Sequence, residues 1–298
     1  MSGGGGETVM KGPIEPFAFD MKKMINNKDM NDIKFLIGPN RKAIYGHRIL
    51  LSARCDVFRA MFLDQGSMQH ADKEVPFVLS DITPDIFLAV LEFIYTNCVT
   101  LSSKNAIDVL GSSIEFGLEE LRKLCNQYLI DNMSINNACD VMQAAVTFQQ
   151  EDLKETAMRY IQENTARGGK DGRGIFKTKG FHEMTDEAMS VVLQSNHLNI
   201  DEIEIIEAVR EWATVNSVVL GKPISEIAKR VVEHIRLPLL APDELKEVDE
   251  ECQRDRLIAV DHISYAWRCH ALKKSSPDNS LTWPRKGTKP REHHKNFR

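Results

Sequence analysis

Apolar residues change spacing several times along this 298-residue chain, and each change predicts a different element. Phe17, Met21, Met24 and Ile25 recur at intervals of four, three and one, which is one apolar stripe of a helix with Asp20, Lys22 and Lys23 opposite. So short a helix needs a surface to cover it, in its own domain or on a second chain. Ile33 to Ile37 reads as a strand, Gly38-Pro39-Asn40 as a turn, and Ala43-Ile44-Tyr45 as the return strand of a hairpin. The period then becomes helical. Ile49, Leu50, Ala53, Val57, Phe58, Met61 and Phe62 fit two short helices meeting near Arg54-Cys55. A polar loop over 64–74 precedes a strand at Val75 to Leu79, where Pro76 suits only an edge or first position.

Three further helices follow. Pro84 fits a first turn ahead of Ile86, Phe87, Val90, Leu91 and Ile94. Ser103 is a candidate cap for a helix with Ile107, Leu110 and Ile114 inside. Gly117 punctuates before Leu118, Leu121, Leu124, Cys125, Tyr128 and Leu129. Beyond Met133 no strand pattern appears. Ser134 reads as an N-cap before Ile135, Ala138, Val141, Met142 and Ala145, and the next helix carries Leu153, Ala157, Tyr160 and Ile161. A glycine- and lysine-rich break over 166–180 reads as a surface loop. Helical spacing resumes in Met189-Val192-Leu193, Ile203-Ile206-Val209-Trp212, Ile227-Val231-Ile235 and Val260-Ile263-Ala266-Trp267. The expectation is an α+β domain over 16–131, then an all-α domain of helical hairpins over 132–272. Residues 1–15 read as a disordered lead-in, and 273–298 as a flexible basic tail.

Composition narrows the function. An apolar fraction of 42%, a charged fraction of 27% and a net charge of −5 are those of an ordinary globular protein, with no global pull toward nucleic acid or a membrane. The apolar run Ile86 to Ile94 is broken by Glu92 and is too short for a span. No signal-peptide pattern opens the chain, so the cytosol or nucleus is expected, with six scattered cysteines as reduced, mostly buried thiols. The phosphate-cradling patterns Gly-x-Gly-x-x-Gly and Gly-x-x-x-x-Gly-Lys-Ser/Thr are absent, as is the Gly-x-Ser-x-Gly elbow. Cys269-His270 are adjacent on a helix and point about 100° apart, which argues against a thiol–imidazole pair. His293-His294 without a cysteine partner makes a poor zinc site. No catalytic residue, cofactor or metal is expected. The basic tail carries only Trp283 and Phe297 as aromatics, so it offers no base-stacking platform and no sequence-specific reading of nucleic acid.

Ordered motifs then point to a family. Asn31-Asp32-Ile33, His47-Arg48-Ile49-Leu50-Leu51-Ser52-Ala53-Arg54-Cys55, Phe58-Arg59-Ala60-Met61-Phe62 and Phe93-Ile94-Tyr95-Thr96 together resemble the BTB/POZ signature. Ala144 to Phe148, Leu153 to Ile161, Phe181, Leu193, Leu198, Glu202, Val209, Trp212 and Arg236-Leu237-Pro238-Leu239-Leu240 resemble the BACK domain that follows BTB in many adaptors.

The resemblance implies a non-enzymatic adaptor whose first helix packs across a twofold axis. Phe17, Met21, Met24 and Ile25 become candidate dimer contacts, in a homodimer or a heterodimer. Asp32 and Arg48 resemble the charged pair near the family's dimer centre. They are either a bidentate pair lining that pocket, or a local ion pair or unpaired surface charges. His47 reads as a structural hydrogen-bonding residue. Many members bring a protein substrate to cullin-3 through the loop after the Phe-x-x-Met-Phe helix and the Tyr-Thr region. That surface maps to Phe62, Met68, Gln69, His70 and Tyr95. The family's apolar-x-Glu motif is replaced here by Met68-Gln69-His70, without the expected acid. Two functions stay open, a cullin-3 adaptor and a dimeric scaffold that does not engage cullin-3.

Overall fold

A computed structural model describes residues 13–64, 76–165, 174–273 and 280–297. The chain divides into two compact units, Met1–Leu129 and Ile130–Arg298.

The first unit begins with α1 (Ile14–Lys22), so Met24 and Ile25 lie in the turn after the helix instead of on its stripe. The hairpin forms as its pattern predicts. β1 (Ile33–Ile37) pairs antiparallel with β2 (Lys42–Gly46), with Phe35 opposite Ile44. The turn between them needs Gly38, whose φ of 71° is a left-handed conformation open to glycine without a Cβ penalty. The helices α2 (Arg48–Arg54) and α3 (Asp56–Asp64) meet at Cys55. β3 (Phe77–Leu79) then adds parallel to β1, in the order β2-β1-β3. As an edge strand entered directly after Pro76, it loses no ladder bond to the proline.

Three helices complete this unit: α4 (Pro84–Thr96), α5 (Ala106–Glu115) and α6 (Glu119–Asp131), the last crossing the boundary between the units. Phe35 sits among Phe87, Phe58 and Phe77 with ring centroids 5.1, 5.7 and 6.0 Å away, and Phe58 stacks on Phe116 at 4.8 Å. These offset and edge-on geometries suit aromatic quadrupoles and centre the core where sheet meets helices. The N-cap of α5 is Asn105, two residues after Ser103. Asn105 Oδ1 accepts the backbone N–H of Ser102 at 2.7 Å, and the Ser102 carbonyl starts the turn. Ser134 and Asn137 repeat this arrangement at 2.7 Å, but the helix that follows starts at Ala138 with Asn137 as its N-cap, so Ser134 stands one turn ahead of the position expected for it.

The second unit is helical throughout its described residues. α7 (Ala138–Thr147) and α8 (Glu151–Asn164) form an antiparallel hairpin, followed by α9 (Lys179–His182), α10 (Asp186–Gln194) and the long α11 (Glu202–Leu220). Trp212 is buried in α11 and donates its indole N–H to the Met184 carbonyl at 2.9 Å. The Ile227-Val231-Ile235 spacing does not continue as one helix. α12 covers only Ile224–Ile227, and a 3-10 turn covers Val232–His234. The path leaves the helix because the Arg236 N–H goes to Glu202 at 2.6 Å, and Pro238 restricts the residue before it. α13 (Pro242–Asp255) starts with proline in its first turn while Glu244 accepts the Ala241 N–H at 2.7 Å. α14 (Val260–Leu272) closes the bundle.

The flexible-tail expectation fails for 280–297. This segment folds into two 3-10 turns, Ser280–Thr282 and Glu292–Phe297, and buries Thr282 and Arg285 against its own unit. Its charge is answered by acids distant in sequence, above all Asp201, Glu202 and Glu244.

Candidate interaction surfaces

The first surface is α1. None of its residues is buried, although it packs on α4. Lys22 pairs with Glu92 of α4 at 2.5 Å, which fastens the helix from its polar side. Ile14, Phe17 and Phe19 remain 56%, 60% and 65% exposed, while Met21, Met24 and Ile25 are half-buried. Lys23 Nζ lies 4.3 Å from the Phe19 ring centroid, a partial cover for one of the three. Ile14 and Phe17 thus stay bare at one end of the helix, an exposed apolar patch.

The second surface surrounds the start of α2. Asp32 and Arg48 do meet, but not as a bidentate ion pair. The Asp32 carboxylate accepts the Arg48 backbone N–H at 2.7 Å and so caps the first amide of α2. The Arg48 side chain reaches only the Asp32 carbonyl, Nε at 3.4 Å, and lays its guanidinium carbon 5.0 Å from the Phe62 ring centroid and 5.7 Å from that of Phe77. The carboxylate serves helix geometry, because the first-turn amides of a helix have no acceptor within the helix itself. His47 is the structural residue expected. Its N–H donates to Tyr95 Oη at 2.9 Å, and its Nδ1 lies 3.0 Å from the same oxygen. Burial pushes the Tyr95 hydroxyl up to about 12, so it stays protonated and joins β2's exit to α4.

The candidate cullin-facing set is divided by this geometry. Phe62 is 5% exposed and Tyr95 4%, so both belong to the core and neither offers a side chain to a partner. Their surroundings explain this: Phe62 packs against the rings of Phe58 and Phe77, and Tyr95 is held by its hydrogen bond with His47. Met68, Gln69 and His70 lie outside the described residues.

Chemistry elsewhere follows burial. Cys55, Cys125, Cys139, Cys252 and Cys269 are buried and free, and Cys98 is exposed and free. Burial pushes the Cys125 and Cys139 thiols up to about 12, the opposite of what a nucleophile needs. His293 and His294 turn their Nε2 atoms to the carbonyls of Pro238 and Leu239 at 3.0 and 2.8 Å. Among the described residues no group of three or more His, Cys, Asp or Glu is placed to hold a metal ion, and no helix is long and apolar enough to cross a membrane.

A third surface had no herald in the local pattern, the acidic cleft that receives 280–297. Arg236 stands at its edge and donates to Asn196 Oδ1 at 2.5 Å and the Trp283 carbonyl at 2.6 Å. Burial, with Arg285 beside it, lowers its guanidinium to about 10. The one clue available in the sequence was compositional, a basic segment and acids clustered at 201–204 within one unit.

Comparison with known proteins agrees with the division of the chain. Residues 21–133 match the model of the BTB/POZ domain, and residues 138–250 match that described as BTB And C-terminal Kelch. BTB/POZ domain-containing protein 19 of Homo sapiens is 41% identical over 290 residues, 96% of each chain, and its Bos taurus counterpart is 40% identical over 288 residues, again 96% of each. BTB/POZ domain-containing protein 9 of Drosophila melanogaster is 26% identical across 95% of this chain and 38% of its own length.

Proposed function

The chain belongs to the family that joins an α+β BTB/POZ domain to a helical BACK domain, a family of protein-interaction adaptors, and from that premise we propose that it acts as a dimeric adaptor bringing a protein substrate to a cullin-3 ubiquitin ligase. The observation that carries the dimer is α1, packed on α4 yet burying none of its own residues and baring Ile14 and Phe17 at one end. Covering an apolar side chain of this size contributes roughly 1.5–3 kcal/mol, so two on each of two copies supply a useful part of an association energy. Function on this reading is binding, in the cytosol or nucleus, with no chemical step.

A second reading keeps the dimer and omits the ligase. It is favoured by His70, which replaces the acid expected in the loop that resembles the cullin-binding motif, and by the burial of Phe62 and Tyr95. Calorimetry of the full chain against the cullin-3 N-terminal region separates the two. Binding at micromolar affinity supports the ligase adaptor. No heat with both proteins at about 50 μM, which corresponds to a free energy weaker than roughly −6 kcal/mol, supports the scaffold.

A further inference from the structure

The contacts of 280–297 are those of a read peptide more than those of a packed core. Arg285 and Glu202 have no exposed side-chain surface, and Arg285 Nε donates to Glu202 Oε2 at 3.0 Å. The other guanidinium N–H groups donate to the carbonyls of Leu193, Ser195 and His234, the last two at 2.6 and 2.8 Å. Six positions on, Arg291 bridges Asp201 at 2.7 Å and Glu244 at 2.6 Å with 8% of its side chain exposed. Between these anchors the backbone is read too. The N–H groups of Lys286, Gly287 and Lys289 donate to Asn196 O, Leu198 O and Asp201 Oδ1 at 2.9, 3.0 and 2.9 Å. A Cβ on Gly287 would lie 2.0 Å from Ile200 N and 2.3 Å from Asn199 C, so any larger residue is shut out by backbone.

The cleft demands such an occupant. Asp201 and Glu202 stand at the opening of α11, while Leu193 lies in the last turn of α10 and His234 ends a 3-10 turn, so the Leu193 and His234 carbonyls have no helical donor. Without Arg285 the buried Glu202 carboxylate would keep only the Arg236 amide, and three carbonyls would lose an ionised donor. Apolar attachment is slight by comparison, since Thr282 is buried but Trp283 is half exposed. We propose that this cleft is a recognition site for a peptide of the pattern Arg-x-Gly-x-x-x-Arg, that residues 285–291 are its resident occupant, and that the same motif supplied by another chain replaces them.

Seven residues, 273–279, separate the segment from α14 in sequence, and covalent attachment over so few residues sets an effective local concentration of about millimolar. Added peptide at micromolar concentration therefore scarcely competes with the intact resident copy. The test disables that copy in the full chain with Arg285→Ala and Arg291→Ala, then titrates a fluorescent peptide of residues 280–297. The variant is expected to bind at least about tenfold more tightly than wild type, following the loss of the tethered competitor. A peptide carrying Gly287→Ala is expected not to bind. A variant that is folded by circular dichroism yet ignores the peptide overturns the proposal. Should the variant not fold, a protease site is inserted between 274 and 279 of the wild-type chain and cut, with the residues of 285–291 and their partners unchanged. Labelled peptide in excess is expected to exchange with the resident segment, and a segment that stays unexchanged over a day overturns the proposal.

Discussion

Arg285 and Glu202, 83 positions apart, form an ion pair 3.0 Å long with no solvent access to either side chain. Removing one partner leaves the other buried and uncompensated, at a cost of about 3–5 kcal/mol. Glu202→Gln and Arg285→Met are each predicted to lower the unfolding free energy by about that much in urea titrations. The double variant is predicted to lose less than the sum of the two. Additive losses would show that the two residues do not act as a pair.

Asp32 acts on α2 through its oxygen, not through its charge. Asp32→Ala should therefore cost about 1 kcal/mol, the ordinary loss of a helix cap, while Asp32→Asn keeps an acceptor oxygen and should cost less than half of that. Equal losses in thermal unfolding would return the pair to an ionic role.

Tyr95→Phe removes the acceptor of the buried His47 N–H without leaving a large void. The predicted loss is about 1–3 kcal/mol, the desolvation of an orphaned donor, measured by urea unfolding of the full chain. No change would mean that water replaces the hydroxyl.

Stability of the second unit should fall on acidification. Burial holds the His293 imidazole down to about 4, helped by His270, His294 and Arg291, which face it. Below the unfolded value of 6.5 the unfolded chain takes up a proton that the folded chain refuses, so stability is full above 6.5 and declines toward 4. Asp201 adds a later loss. Burial alone would raise it, but hydrogen bonds from Arg291 and the Lys289 N–H hold it below the usual carboxylate range, so its contribution disappears as pH drops through that lowered value. Scanning calorimetry between pH 7 and 4 should show a falling transition temperature, with a shallower slope in His293→Gln. Parallel slopes would remove His293 from the effect.

Local periodicity carried much of this fold and little of its long-range chemistry. The β1–β2 hairpin, the α2–α3 break at Cys55 and the fully buried faces of α4 and α7 follow from spacing, because side-chain direction in a helix or strand is set by neighbours in sequence. The tail was illegible for the converse reason. Lys289 and Arg291 read as solvated charge until Asp201, Glu204 and Glu244 are brought beside the segment from 40 to 90 positions away. Phe62 and Tyr95 carry the family motif, but a motif records identity and not exposure, and here both are core. The helix α13 had its own signature in Pro242-Asp243-Glu244, a proline at the first turn with an acid positioned to cap.

The central claim is a dimer built on α1, and mass in solution tests it most directly. Multi-angle light scattering of the full chain at about 10 μM, a concentration that a nanomolar interface saturates, should report twice the mass of one chain. Ile14→Asp with Phe17→Asp, both at exposed positions where the fold tolerates a charge, should report the mass of one chain. A wild-type protein of single-chain mass, or a variant that stays dimeric, would contradict the account.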